Sequence, residues 1–99
     1  MSIGVKHFDG ENVYEGEFTD GHMDGLGVYR WASGHVYEGL WAAGRRQGSG
    51  VVITSKGDIY EGSWDSDKRQ GHGSARYSNG DTYTGSWMNN KEQGEGGIV

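Results

Sequence analysis

The chain has 99 residues, enough for one small domain and too few for a large single core. Only 32% of the residues are hydrophobic, yet 12% are aromatic and none is proline, so the composition departs from that of a disordered polar chain. There is no cysteine for disulfides or thiolate chemistry, and a formal net charge of −5 argues against duplex nucleic acid as the main partner.

No stretch approaches the roughly 18 apolar residues that span a bilayer, and Met1-Ser2-Ile3-Gly4-Val5-Lys6-His7 leads into charge rather than a signal-peptide core. The expected setting is the cytoplasm, with association to cytoskeleton or membrane as an option.

In chain order, residues 4–13 read as the second half of a repeat. Gly10 is displaced by one place from the column Gly34, Gly57, Gly80, which predicts a first turn of different length. Then Tyr14-Glu15-Gly16-Glu17-Phe18 opens a unit that returns as Tyr37-Glu38-Gly39-Leu40-Trp41, Tyr60-Glu61-Gly62-Ser63-Trp64 and Tyr83-Thr84-Gly85-Ser86-Trp87. The tyrosines are spaced 23 residues apart without slippage, the mark of a repeat architecture. The units are 14–36, 37–59, 60–82 and 83–99, and the last stops at Gly96-Gly97-Ile98-Val99, part-way through its second strand.

Each unit reads as a β-hairpin. Tyr37, Gly39 and Trp41 alternate with Glu38 and Leu40, and Gly27, Tyr29 and Trp31 alternate with Val28 and Arg30, the period that sorts residues onto two faces. Gly44-Arg45-Arg46-Gln47-Gly48, Asp67-Lys68-Arg69-Gln70-Gly71 and Asn90-Lys91-Glu92-Gln93-Gly94 are predicted turns. Their leading column of Gly21, Gly44, Asp67 and Asn90 suits a left-handed backbone. The return turns centre on Ser33-Gly34, Lys56-Gly57 and Asn79-Gly80. In-strand glycines share a face with the rings, which can lie flat over them and cover the backbone. The expected fold is therefore all-β: an elongated, single-sheet antiparallel meander of stacked hairpins.

The pattern Tyr-x-Gly-x-Trp, then Gly-x-x-x-Gly-x-Gly, then a turn glycine before the next tyrosine, resembles the MORN repeat (membrane occupation and recognition nexus). It covers essentially the whole chain. Its departures are Phe18 for tryptophan, Asp67 and Asn90 for a turn glycine, and Val52 and Ala75 where an aromatic is common. The resemblance implies a scaffold that meets proteins or acidic phospholipids, with helix binding and self-association as recurrent modes.

Three candidate surfaces follow. The aromatic face, with Tyr14, Phe18, Tyr29, Trp31, Tyr37, Trp41, Tyr60, Trp64, Tyr77, Tyr83 and Trp87, is expected to line a groove for a peptide or helix, or else to form the core itself. Arg45, Arg46, Lys68, Arg69 and Lys91 are expected to form a basic row that meets phospholipid head groups or an acidic partner. The two sheet ends are expected to allow self-association. On the face opposite the rings, Val28, Leu40, Val51 and Ile53 stand amid Glu15, Glu38, Glu61 and Arg30, a patch unusual for a solvent face.

Catalytic chemistry is not expected. Gly71-His72-Gly73 lacks the third glycine and following helix of a nucleotide fingerprint. Asp65-Ser66-Asp67 opens like a calcium loop, but Arg76 stands where a bidentate glutamate belongs. The histidines lack metal-ligand spacing and the serines a recurring histidine partner. The predicted function is a non-enzymatic scaffold for protein partners without cofactor or metal. The alternative is a peripheral membrane-targeting module that uses the basic row.

Overall fold

Tyrosine, glycine and tryptophan at i, i+2 and i+4 do not share one face of a helix, but they fall on one side of a strand. The computed structural model describes residues 2–92 and 97–98. Its strands are β1 (Ser2–His7), β2 (Val13–Thr19), β3 (His22–Arg30), β4 (Val36–Ala42), β5 (Arg45–Ile53), β6 (Ile59–Asp65), β7 (Lys68–Arg76), β8 (Thr82–Met88), β9 (Lys91–Glu92) and β10 (Gly97–Ile98). They form one antiparallel sheet in chain order from β1 to β8, with β9 and β10 both paired to β8. The molecule measures 41 × 23 × 16 Å, the elongated meander expected of the repeat. Of the expected unfinished strand, Gly96 and Val99 lie outside the described residues, as do Gln93 and Gly94 of the last predicted turn.

The turns between β2 and β3, β4 and β5, β6 and β7, and β8 and β9 are tighter than the sequence predicts. Each has two central residues, both left-handed: Asp20-Gly21, Ala43-Gly44, Ser66-Asp67 and Asn89-Asn90, with φ of 49–51° at the first and 70–84° at the second. That is the type I′ pattern, whose twist matches the strands. Arg45-Arg46-Gln47-Gly48 therefore already belongs to β5 rather than to a loop. The extra residues are absorbed in a bulge, where the register jumps between Gly39 and Trp41 and Gly48 takes φ 91°.

At the other edge, the Trp31 carbonyl accepts from Gly34 N–H at 3.0 Å, while Trp31 N–H donates to the His35 carbonyl at 3.0 Å. The first connection is closed in the same way, by Phe8 N–H donating to the Asn12 carbonyl at 2.8 Å. Its length thus equals that of the later turns, contrary to the reading from the displaced Gly10. Gly10 and Glu11 are both left-handed there, and residues 9–11 form a short 3-10 turn instead.

A row of glycines crosses the sheet, one on each strand from β1 to β8: Gly4, Gly16, Gly27, Gly39, Gly50, Gly62, Gly73 and Gly85. On one face the tyrosine rings lie against this row, so that a Cβ on Gly27, Gly50 or Gly73 would collide with Tyr14, Tyr37 or Tyr60. The rings meet edge to face in an unbroken ladder, Phe18, Tyr14, Trp41, Tyr37, Trp64, Tyr60, Trp87 and Tyr83, at centroid distances of 5.0–5.5 Å.

The polar ends of the rings are satisfied locally. Tyr14, Tyr37, Tyr60 and Tyr83 hydroxyls donate to the carbonyls of Glu17, Leu40, Ser63 and Ser86, each at 2.8 Å. Glu17, Leu40 and Ser63 face the bulges, where they have no register partner on the following strand. Trp41, Trp64 and Trp87 indoles donate to the carbonyls of Gly27, Gly50 and Gly73 at 3.1–3.3 Å.

Successive units are also stitched together at both edges. Gly44, Asp67 and Asn90 N–H groups donate to the carbonyls of Met23, Arg46 and Arg69 at 2.9–3.1 Å. Across the other edge, Asn12 Oδ1, His35 Nδ1 and Asp58 Oδ1 accept from Ala32, Ser55 and Ser78 N–H at 2.7–2.9 Å. These acceptors occupy one repeat column, so each unit caps a turn of the next.

Candidate docking groove

The side chains that alternate with the rings project from the opposite face. There the strands set up two parallel rows on either side of the glycine row. One row pairs Glu15 with Val28, Val28 with Glu38, Glu38 with Val51, Val51 with Glu61, and Glu61 with Ser74. The other holds Leu26 against Leu40, Ser49 against Ser63, and His72 against Ser86. Bulges at Gly25, Gly48 and Gly71 run along the margin of this second row, where they bend β3, β5 and β7. Between the rows lies a groove of about 880 Å³, floored by the backbone of Gly16, Gly27, Gly39, Gly50, Gly62 and Gly73.

The walls are graded. Leu26, 62% exposed, lines it next to half-buried Val28 and Val51, and Leu40, 38% exposed, stands opposite Leu26 with its side chain over the Gly48 bulge, while the wall continues beyond them as Ser49 and His72. One end of the groove is therefore apolar and the other hydroxylated. Glu15, Glu38 and Glu61 are exposed along the other wall, and only Glu15 has an ion partner in the described residues, the exposed Arg30 at 3.8 Å. Such an exposed pair contributes little.

The predicted aromatic groove is closed. Tyr14, Tyr37, Trp41, Tyr60, Trp64, Tyr83 and Trp87 are at most 5% exposed, and they are the core. The rings tile over the glycines and over one another, so a single sheet buries this face without a second layer. Phe18, Tyr29, Trp31 and Tyr77 are half-buried against them. On that side a hollow of about 170 Å³ is lined by Trp31, His35, Arg46, Val52 and Thr54.

The predicted basic row is divided by the strand period. Arg46 and Arg69 point to the ring face, where Arg46 lies 4.5 Å from the Trp64 ring centre and Arg69 4.8 Å from that of Trp87. Their Nη2 groups donate to the carbonyls of Asp67 and Asn90 at 2.9 and 2.8 Å. Burial lowers the Arg69 guanidinium below its ordinary value. Arg45, Lys68 and Lys91 are exposed and point to the groove face, at its turn edge.

The tyrosine hydroxyls report the same burial. Desolvation pushes Tyr37 up to about 12, opposed by the nearby Arg46 charge. Tyr77 is also pushed up to about 12, first by burial and then by its hydrogen bond to the Glu92 carboxylate. Burial raises Tyr14 and Tyr60 as well.

Of the patch read opposite the rings, Val28, Val51, Glu15, Glu38 and Glu61 line the groove, while Leu40, Ile53 and Arg30 stand outside its lining. Leu26, Ser49, His72 and Ser74 were missed as wall residues, and for the first three the bulge that aligns them leaves no sequence signal beyond the glycine before each.

Among the described residues no helix is long and apolar enough to cross a membrane, and no three acidic or histidine side chains are grouped to hold a metal ion. No curated protein matches the chain. The sequence model of the MORN repeat matches residues 14–36, 37–59, 60–82 and 83–97, contiguous segments that each begin at a core tyrosine. With ring ladder, glycine row and family match falling on the same 23-residue units, the chain belongs to the MORN repeat family, and is a repeat-based module for protein interaction or membrane association.

Proposed function

We propose that the array is a non-enzymatic scaffold that docks a protein partner in the groove opposite the rings. The observation that carries this reading is the apolar lining of Leu26, Val28 and Val51, with exposed Leu40 beside it, left open among glutamates on a molecule whose aromatic face is closed. Exposed apolar surface of this kind marks interaction sites. The reading places the chain in the cytoplasm, in keeping with its lack of cysteine.

The test is a display library of random 20-residue peptides panned against the full chain, with the enriched peptides re-measured on two variants. Leu26→Glu with Leu40→Glu is expected to abolish their binding, and Trp31→Ala on the ring side to retain it. Enriched peptides indifferent to the leucine substitutions would overturn the reading.

A membrane reading is favoured by Arg45, Lys68 and Lys91, three exposed cations on one edge. At about 1 kcal/mol per cation near an anionic surface, three give only weak attachment, and Glu15, Glu38 and Glu61 share their face. Flotation with vesicles containing phosphatidic acid or phosphoinositides tests it. Salt-sensitive binding lost in Arg45→Glu with Lys68→Glu would establish this mode. Self-association through the sheet end is a third mode, supported by β1, which pairs with β2 and holds Ile3 and Val5 81% and 56% exposed. Light scattering that reports a monomer at high concentration would exclude it.

A further inference from the structure

Resting on the docking reading, we infer that the occupant of the groove is an amphipathic α-helix bearing a stripe of positive charge at about heptad spacing. The first argument is the backbone. The glycines of the floor are paired with neighbours on both sides, so the sheet has no row of free N–H and C=O groups to offer a chain lying across it. An extended peptide there would leave its own backbone groups unpaired against the floor, whereas a helix satisfies them internally.

Length and charge give the second argument. The groove crosses β2 to β7, five inter-strand steps of about 4.8 Å, which accommodates about 16 residues of helix at 1.5 Å per residue. Glu15, Glu38 and Glu61 stand on alternate strands, about 9.6 Å apart. Seven residues of helix advance about 10.5 Å and return to nearly the same face. Lysine or arginine at i, i+7 and i+14 would thus meet each glutamate in turn, with apolar residues between them over Val28 and Val51, while the adjoining apolar stripe meets Leu26. Arg45 and Lys68 lie on the same face beyond the leucine and serine row, and they disfavour positive charge on the other flank of the helix.

Three fluorescently labelled 21-residue helical peptides of matched apolar content test this by anisotropy with the full chain. One carries lysine at i, i+7 and i+14 beside the apolar stripe, one carries the three lysines within a single turn, and one carries glutamate at the heptad positions. The heptad lysine peptide is expected to bind about tenfold tighter than the glutamate peptide at low salt, an advantage lost at high salt. Glu38→Lys with Glu61→Lys is expected to reverse the preference, with the fold checked by circular dichroism. Equal binding of all three peptides that Leu26→Glu abolishes would overturn the charge inference and leave the docking reading standing. Binding by none of them, or binding unaffected by both Leu26→Glu and the glutamate reversals, would overturn both.

Discussion

The Arg46 guanidinium lies 4.5 Å from the centre of the Trp64 ring and at the same time holds Asp67, through Nε to Oδ1 at 3.3 Å and Nη2 to the backbone carbonyl at 2.9 Å. Arg69 repeats the arrangement with Trp87 and Asn90. Each arginine therefore covers a ring of the following unit and fixes that unit's turn, a task that the planar fork of guanidinium suits and a lysine ammonium does not.

Arg46→Ala is expected to destabilise the chain by about 2 kcal/mol, from the lost stacking and the unpaired turn groups. Arg45→Ala, one residue away on the exposed face, is expected to stay within about 0.5 kcal/mol. Urea unfolding of the two variants checks the contrast, and equal effects would refute the division of the basic row.

Gly50→Ala places a methyl group where the Tyr37 ring already lies. The ring cannot swing aside without breaking its contacts to Trp41 and Trp64 at 5.1 and 5.4 Å. A loss of about 1–3 kcal/mol is expected, as for other overpacked cores. Gly44→Asn, at a turn position with open space and φ 84°, is expected to cost under about 1 kcal/mol. Thermal melts distinguish the two.

Tyr37→Phe keeps the ring and removes the hydroxyl that donates to the Leu40 carbonyl at 2.8 Å. With no register partner on β5, that carbonyl is left short of a donor, and a loss of about 1–2 kcal/mol is expected. Denaturant unfolding measures it, and a neutral outcome would show that another donor reaches this carbonyl.

Tyr37 and Tyr77 titrate at about 12 in the folded chain, against about 10 for an unfolded tyrosine. The folded state then holds protons that the unfolded state has released. This contribution to stability is complete below about pH 10 and is lost as the pH rises toward 12. Unfolding free energy measured from pH 8 to 11.5 is expected to fall above pH 10, and to fall less steeply in Tyr37→Phe; a flat profile would contradict the burial of these hydroxyls.

Much of this was legible in the sequence because a repeat states its geometry several times. The period of two placed Tyr37, Gly39 and Trp41 on one face, and the column Gly21, Gly44, Asp67, Asn90 marked left-handed backbone, as found. The reading failed where neighbours in sequence separate in space. Arg45 and Arg46 look like one basic patch, yet strand alternation sends Arg46 under the rings and leaves Arg45 outside.

By itself the sequence determined the hairpin unit, its 23-residue repetition and the union of rings with glycines, because side-chain alternation and turn chemistry are local. Only the tertiary structure decided which face stays open. The ring face closes through contacts between units, such as Tyr37 on Trp64 at 5.4 Å, and the bulges that place Ser63 and His72 in one row with Leu26 depend on how two strands pair. Those are relationships between repeats, and no single repeat carries them.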